Sequence, residues 1–179
     1  MCCLLLGILS CVLLSLSPAQ GAELRILDAV AAPGMTVDVP VLTTEVTGLL
    51  AADIEITFPG TILAFSSARL GALASGFLLE TAATDQSVAL ALAGGQAVSG
   101  LGTLVVLSFE VRPDASPGVT APIAFVSAAL NEGAIPVSTT NGDLDVLGTP
   151  VGEGAALLLV AAALGCGIRR PTRRKEVSR

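Results

Sequence analysis

The sequence predicts an all-β sandwich over residues 22–148, and three observations predict it. Between Glu23 and Leu147 the chain is a series of apolar stretches, five to ten residues long, separated by Gly, Pro, Asn and Asp. Several stretches alternate strictly between apolar and polar residues, the mark of a strand with one face buried. None sustains the 3.6-residue period of an amphipathic helix. Short strands spaced by turn signals imply two packed sheets with jelly-roll or immunoglobulin-like wiring.

In chain order the expected strands are Leu24–Val30, Thr36–Leu42, Leu49–Phe58, Ile62–Ala68, Gly76–Thr81, Ser87–Ala93, Gly102–Arg112, Ala121–Leu130, and Gly133–Val137 continuing through Asp143–Val146. In the second, Met35, Val37, Val39 and Val41 oppose Thr36, Asp38 and Pro40. In the third, Ile54, Ile56 and Phe58 oppose Asp53, Glu55 and Thr57. In the sixth, Val88, Leu90 and Leu92 oppose Ser87, Ala89 and Ala91. The breaks carry turn chemistry: Pro33-Gly34, Pro59-Gly60, Gly94-Gly95, Pro113 through Gly118, and Asn141-Gly142, each supplying a fixed φ or tolerance of positive φ. Asn-Gly is the strongest of these as a hairpin signal. The five Phe residues fall inside strands and are expected in the core.

The two ends differ from the middle. Residues 1–21 contain no charged side chain, and Met1–Leu16 is an almost unbroken apolar run, as in the core of a secretory signal peptide. Cleavage is expected after Gly21, leaving Ala22 first, with cleavage after Ala19 as the alternative. No Lys or Arg precedes the run, so the usual basic region is either the amino terminus alone or lies upstream of Met1. Residues 149–179 hold a second apolar stretch, Ala155–Ile168, followed by Arg169, Arg170, Arg173, Arg174 and Lys175. This pattern is that of a hydrophobic helix with a positive-inside stop, a membrane anchor. Fourteen helical residues span about 21 Å, short of a ~30 Å hydrocarbon core. The short span and basic stop resemble bacterial C-terminal sorting signals of the PEP-CTERM type, without their Pro-Glu-Pro triplet. The expected location is therefore outside the cell: at the envelope or surface, or released after C-terminal processing.

Charge and composition narrow the function. Residues 22–150 hold 13 acids and 3 bases, a net of −10 that does not suit a phosphate backbone, so no nucleic-acid partner is expected. The chain has no His, Trp or Tyr. Imidazole acid–base chemistry and His metal sites are thereby excluded, as are the aromatic platforms on which sugars usually stack. The four cysteines, Cys2, Cys3, Cys11 and Cys166, all lie in the end segments, and a domain of this size folds on its core without disulfides. No enzyme, cofactor or metal site is expected. Asp53 and Glu55 point the same way along a strand, but without an aromatic subsite they make a poor glycosidase pair. Asn141, Asp143 and Asp145 lack the spacing of a calcium loop.

Four segments in order resemble the cohesin family. AAPGMTVDVPV (Ala31–Val41) is similar to its opening strand pair, and GLLAADIEITFPGTILAF (Gly48–Phe65) to its Gly, Asp-bearing strand and following turn. GTLVVLSFEVRPDASPGVTAPIAF (Gly102–Phe125) is similar to its long strand, Gly/Pro loop and next strand. LNEGAIPVSTTNGDLDV (Leu130–Val146) is similar to its closing hairpin in stand-alone, non-cellulosomal members. The resemblance implies a nine-stranded jelly-roll that binds a partner module, a dockerin, through one sheet face. It places Asp53 at the family's acidic contact on the third strand. The family pattern has Asn two residues earlier, where this chain has Ala51.

The expected site follows from that topology. Asp53, Glu55 and Thr57, with Ala89 and Ala91, would share one outward face that is flat and poor in side-chain entropy, suited to a protein interface. The expected partner is thus another protein module, dockerin-like. A polysaccharide is the alternative, and an ordinary solvated face is the plainer reading of the same residues.

Overall fold

Two long strands carry the architecture. In the computed structural model, which describes residues 21–148, β3 (Thr36–Thr57) and β6 (Ser87–Val111) pair antiparallel from Thr36 opposite Glu110 to Thr57 opposite Ser87, interrupted in the middle where residues 94–97 of β6 have no partner on β3. Each merges two of the expected strands. The expected breaks bend the chain without ending it: register shifts fall between Val41 and Ala51, and Gly48, Gly100 and Gly102 hold positive φ of 72°, 126° and 150° there. Bulges opposed by glycines let both strands turn together while Val46 stays paired with Gly100 and Leu49 with Val98.

The bend sorts the remaining strands into two ladders. Beyond it, the second half of β3 and the first half of β6 join β5 (Phe77–Ala83) and β7 (Thr120–Leu130), in the order β5-β6-β3-β7. Before it, the other halves join β4 (Leu63–Leu70), β1 (Ala22–Ile26) and β8 (Val137–Thr140), in the order β4-β6-β3-β1-β8. The first part of β7 continues to β9 (Gly142–Val146) and β2 (Ala29–Ala31). Alternate residues of both ladders enter one apolar cluster that includes Leu24, Val41, Ile54, Leu90 and Leu107. Phe58, at the end of one ladder, meets the fully buried Phe109 of the other edge-on at 5.0 Å, and Phe65 meets Phe109 at 5.9 Å. The chain is an all-β sandwich. Phe58, Phe77 and Phe109 are buried as expected, and Phe65 and Phe125 are half-buried.

Four expectations are corrected. The segment Leu24–Val30 is two strands, because the chain leaves β3 after Leu27, whose amide donates to the Pro40 carbonyl, and changes sheet. Gly94-Gly95 is not a turn: both lie within β6, where a Cβ on Gly94 would stand 2.3 Å from the Phe77 ring. The glycine makes room for a core aromatic. The expected strand Gly133–Val137 is not formed before its last residue, Val137, which opens β8. Asn131–Gly133 forms a single 3-10 turn, and Asn131 and Glu132 sit at φ of 49° and 56°, outside strand geometry. Asn141-Gly142 closes no hairpin, since β8 runs parallel to β1 while β9 runs parallel to β2 and antiparallel to β7. The dipeptide is a crossing between sheets. Gly142 is required there by closeness, because a Cβ would stand 2.7 Å from the Ile26 carbonyl oxygen.

Residues 1–20 of the expected leader, which runs to Gly21, and the segment Ala155–Ile168 with Arg169 and Arg170 lie outside the described residues. Of the two residues at the expected cleavage point, Gly21 is exposed and Ala22 opens β1, its amide donating to Pro136 at 2.9 Å.

Candidate functional site

The five candidate residues meet on the outer face of the ladder β5-β6-β3-β7. Asp53 lies opposite Ala91, Glu55 opposite Ala89, and Thr57 opposite Ser87. All point away from the core: Asp53, Thr57, Ala89 and Ala91 are exposed and Glu55 is half-exposed, while the intervening Ile54, Ile56, Val88 and Leu90 are buried. Alternation read from the sequence thus places each of them on the expected side. Thr57 is less available than the rest, because its hydroxyl donates to the Gln86 carbonyl at 3.0 Å.

The neighbouring strands complete the face. Across it, one row runs Glu80, Ala91, Asp53, Ala129, and the next runs Ala82, Ala89, Glu55, Ser127. Glu80 is a third carboxylate that sequence reasoning did not place. Strands lie about 4.8 Å apart, so Glu80 and Asp53 stand roughly 10 Å apart across Ala91. Alternation within Gly76–Thr81 points Glu80 outward, but only the pairing of β5 with β6 brings it beside Asp53. The result is a shallow depression of about 360 Å³ with a floor of Ala82, Ala89 and Ala91 and walls that include Asp53, Glu55 and Glu80.

The three bases of residues 22–148 lie elsewhere. Arg69, on β4, pairs with Asp38 at 2.7 Å, and Arg112 donates from Nε to the Gly60 carbonyl at 2.6 Å. Arg25 is on β1, in the other ladder. Asp38, whose carboxyl is displaced from its ordinary range, also lies outside the site. The Ser108 hydroxyl, and then the Arg69 guanidinium, hold Asp38 below the usual value.

The face is held in place from its far end. Asn131, just after β7, accepts with Oδ1 from the amides of Leu50 (2.8 Å) and Ala51 (3.0 Å), and donates from Nδ2 to the Gly48 carbonyl (2.8 Å). Asn131 thereby ties the bend of β3 to the last residue of β7. Nothing in the local sequence signals this role.

The centre of this face is built of small side chains, Ala82, Ala89 and Ala91. Small side chains let another chain approach the sheet closely, and few rotamers are lost on contact. Among the described residues no three His, Cys, Asp or Glu side chains gather into a metal-holding cluster.

The comparisons agree with this architecture. The non-cellulosomal cohesin of Archaeoglobus fulgidus has 17% identity and a TM-score of 0.64, over 72% of this chain and 92% of that one. The sixth cohesin of Acetivibrio cellulolyticus scaffoldin B, solved in complex with a Cel5 dockerin mutant, has 21% identity and a TM-score of 0.63, over 70% and 99%. The OlpA cohesin of Clostridium thermocellum, in complex with the Doc918 dockerin, has 21% identity and a TM-score of 0.62, over 71% and 99%. No curated protein matches the chain by sequence. The family described as "Cohesin domain" matches residues 22–146, more than two thirds of the chain, and the protein belongs to that family.

Proposed function

We propose that the protein is an exported, non-enzymatic protein-binding module, an adhesion or scaffold element that takes a dockerin-like partner on the face of Asp53, Glu55, Ala89 and Ala91. One observation carries the reading. The outer face of β5-β6-β3-β7 combines an alanine floor with three carboxylates and no base. Two of the similar cohesins are in complexes with dockerins, which supports a protein partner. Polysaccharide binding is the weaker reading, because no Phe is exposed and the chain has no Trp or Tyr.

The apolar leader ending at Gly21 and the stretch Ala155–Ile168 with its basic stop support export to the cell envelope or surface, with membrane retention or release by C-terminal processing. The test is titration calorimetry of the purified protein against a panel of dockerin modules, beside cellulose and chitin pull-downs. Saturable binding to a dockerin that is lost in Ala89→Arg is the expected result. Retention on polysaccharide with no dockerin binding overturns the reading.

A further inference from the structure

We propose that the free edge of β5 is a strand-addition site for an extended basic segment of the partner. The inference deepens the reading above and rests on it for the identity of that partner. Its starting point is that β5 pairs with β6 alone, from Phe77 opposite Gly94 to Ala83 opposite Val88, in an unbroken register. The Phe77 amide donates to the Ala74 carbonyl at 2.9 Å, and among the described residues no strand pairs with the other edge from Leu78 to Ala83. Only Phe77 of the seven residues is buried. Leu78 is 77% exposed, and Thr81, Ala82 and Ala83, which point alternately to both faces, are all exposed. The second half of the strand is therefore open on two faces and one edge.

Sheets normally blunt such edges with charge, proline, bulges or brevity. The other outer strands here do so. β4 has a bulge between Phe65 and Ser67 and carries Arg69. β7 skips Val126 in its pairing with β3. β8 has four residues and follows Pro136, and β2 has three. β5 has no proline and no bulge, its one charge is the acidic Glu80, and its backbone groups from Leu78 onward are a template for a strand that answers that charge.

Charge selects the occupant. Glu80 is exposed at the centre of β5, Asp85 follows the strand, and Asp53 and Glu55 lie on the same sheet face as Glu80. A second copy added about the centre of the strand would set Glu80 against its own counterpart, between two domains of 13 acids and 3 bases each. Like charges directly opposite oppose that pairing. A basic segment is favoured instead. Alternate side chains of an added strand fall on the outer face, so the fitting segment carries an apolar residue beside Leu78 and a base beside Glu80, two positions apart.

The experiment is amide hydrogen exchange on the full chain with a probe peptide. The probe is acetylated, eight residues long, and alternates threonine with leucine, lysine, valine and lysine. A control peptide of equal charge has two threonines replaced by proline. The first should slow exchange of the outward-pointing β5 amides about tenfold or more, and the control should not. Successive N–H groups point to opposite edges, so of Thr81→Pro and Ala82→Pro one blocks the free edge and the other breaks the β6 ladder. Loss of protection in the edge-blocking variant, with β6 exchange unchanged, supports the site. The probe does not need the alanine floor, so the uncharged Ala89→Leu, which fills that floor without changing the field, should leave its protection of β5 intact even where dockerin docking is lost. The edge is thus read separately from the face. Equal effects of the two peptides, or protection elsewhere in place of β5, overturn the proposal. A free chain that already sediments as a dimer with β5 protected also overturns it, because the edge then belongs to a second copy.

Discussion

Asn131 and Gly48, 83 positions apart, are joined by a hydrogen bond of 2.8 Å from the asparagine amide to the glycine carbonyl. Both residues hold positive φ, 49° and 72°. The same side chain accepts from the amides of Leu50 and Ala51, so one residue satisfies three backbone groups at the bend where β3 passes between ladders. The carboxylates at 53 and 55 begin two residues beyond that clamp.

Asn131→Ala removes all three bonds and leaves two amides and a carbonyl to water or to nothing. A loss of about 2–3 kcal/mol is expected, measured by urea unfolding. Asn131→Asp keeps the acceptor for the two amides but sets a carboxylate against the Gly48 carbonyl, and should fall between the parent and the alanine variant. Equal stability of all three would show that the clamp contributes nothing.

Gly94→Ala drives a Cβ into the Phe77 ring, which is 6% exposed and has little room to retreat. The expected cost is about 1–3 kcal/mol, as for overpacked cores. Combining it with Phe77→Leu should cost less than the two changes summed, because the smaller side chain vacates the space that the methyl enters. Additive losses in thermal unfolding would mean that the two residues do not share that space.

On the proposed binding face, Ala89→Arg should fold as the parent does, since the position points to solvent, and should abolish partner binding by clash and by setting a base, opposite Glu55, where a basic partner docks. Asp53→Ala should instead slow association by about three- to tenfold and flatten its salt dependence, because its field acts mainly on encounter. Stopped-flow or surface-binding kinetics at two ionic strengths separate these effects. Parent-like binding by both variants would move the interface elsewhere.

Acid stability should report the other ladder. Ser108 Oγ donates to Asp38 at 2.5 Å, and Arg69 Nη2 donates to it at 2.7 Å. Both favour the carboxylate and hold its pKa below the ordinary 3.8. The stabilisation is therefore complete above the unfolded value and fades as pH falls through the lower folded one. Thermal unfolding from pH 6 to pH 2 should show a shallower acid limb in Asp38→Asn than in the parent, the difference lying below about pH 4. The effect is small and shrinks in salt, because both side chains are about half exposed. Parallel acid limbs would show that the pair does not contribute.

Local chemistry determined much of this protein. Alternation at Ile54, Ile56, Val88 and Leu90 told which side chains enter the core, and therefore that Asp53, Glu55, Ala89 and Ala91 leave it, because a strand's side chains have a period of two wherever it pairs. The −10 middle and the lack of His, Trp and Tyr set the chemistry of the surface whatever the fold.

What the tertiary structure decided depends on partners distant in sequence. Gly94-Gly95 and Asn141-Gly142 have the local signature of turns. The Phe77 ring over Gly94 and the Ile26 carbonyl beside Gly142 give those glycines a different purpose, which no local window contains. Glu80 became part of the face only through the pairing of β5 with β6, and Asn131 became its clamp only through contact with residues 80 and more positions away. A strand's period tells which way a side chain points. Which neighbour it then meets is decided by long-range pairing, and in this fold that pairing is set where two long strands bend together at Gly48 and Gly100.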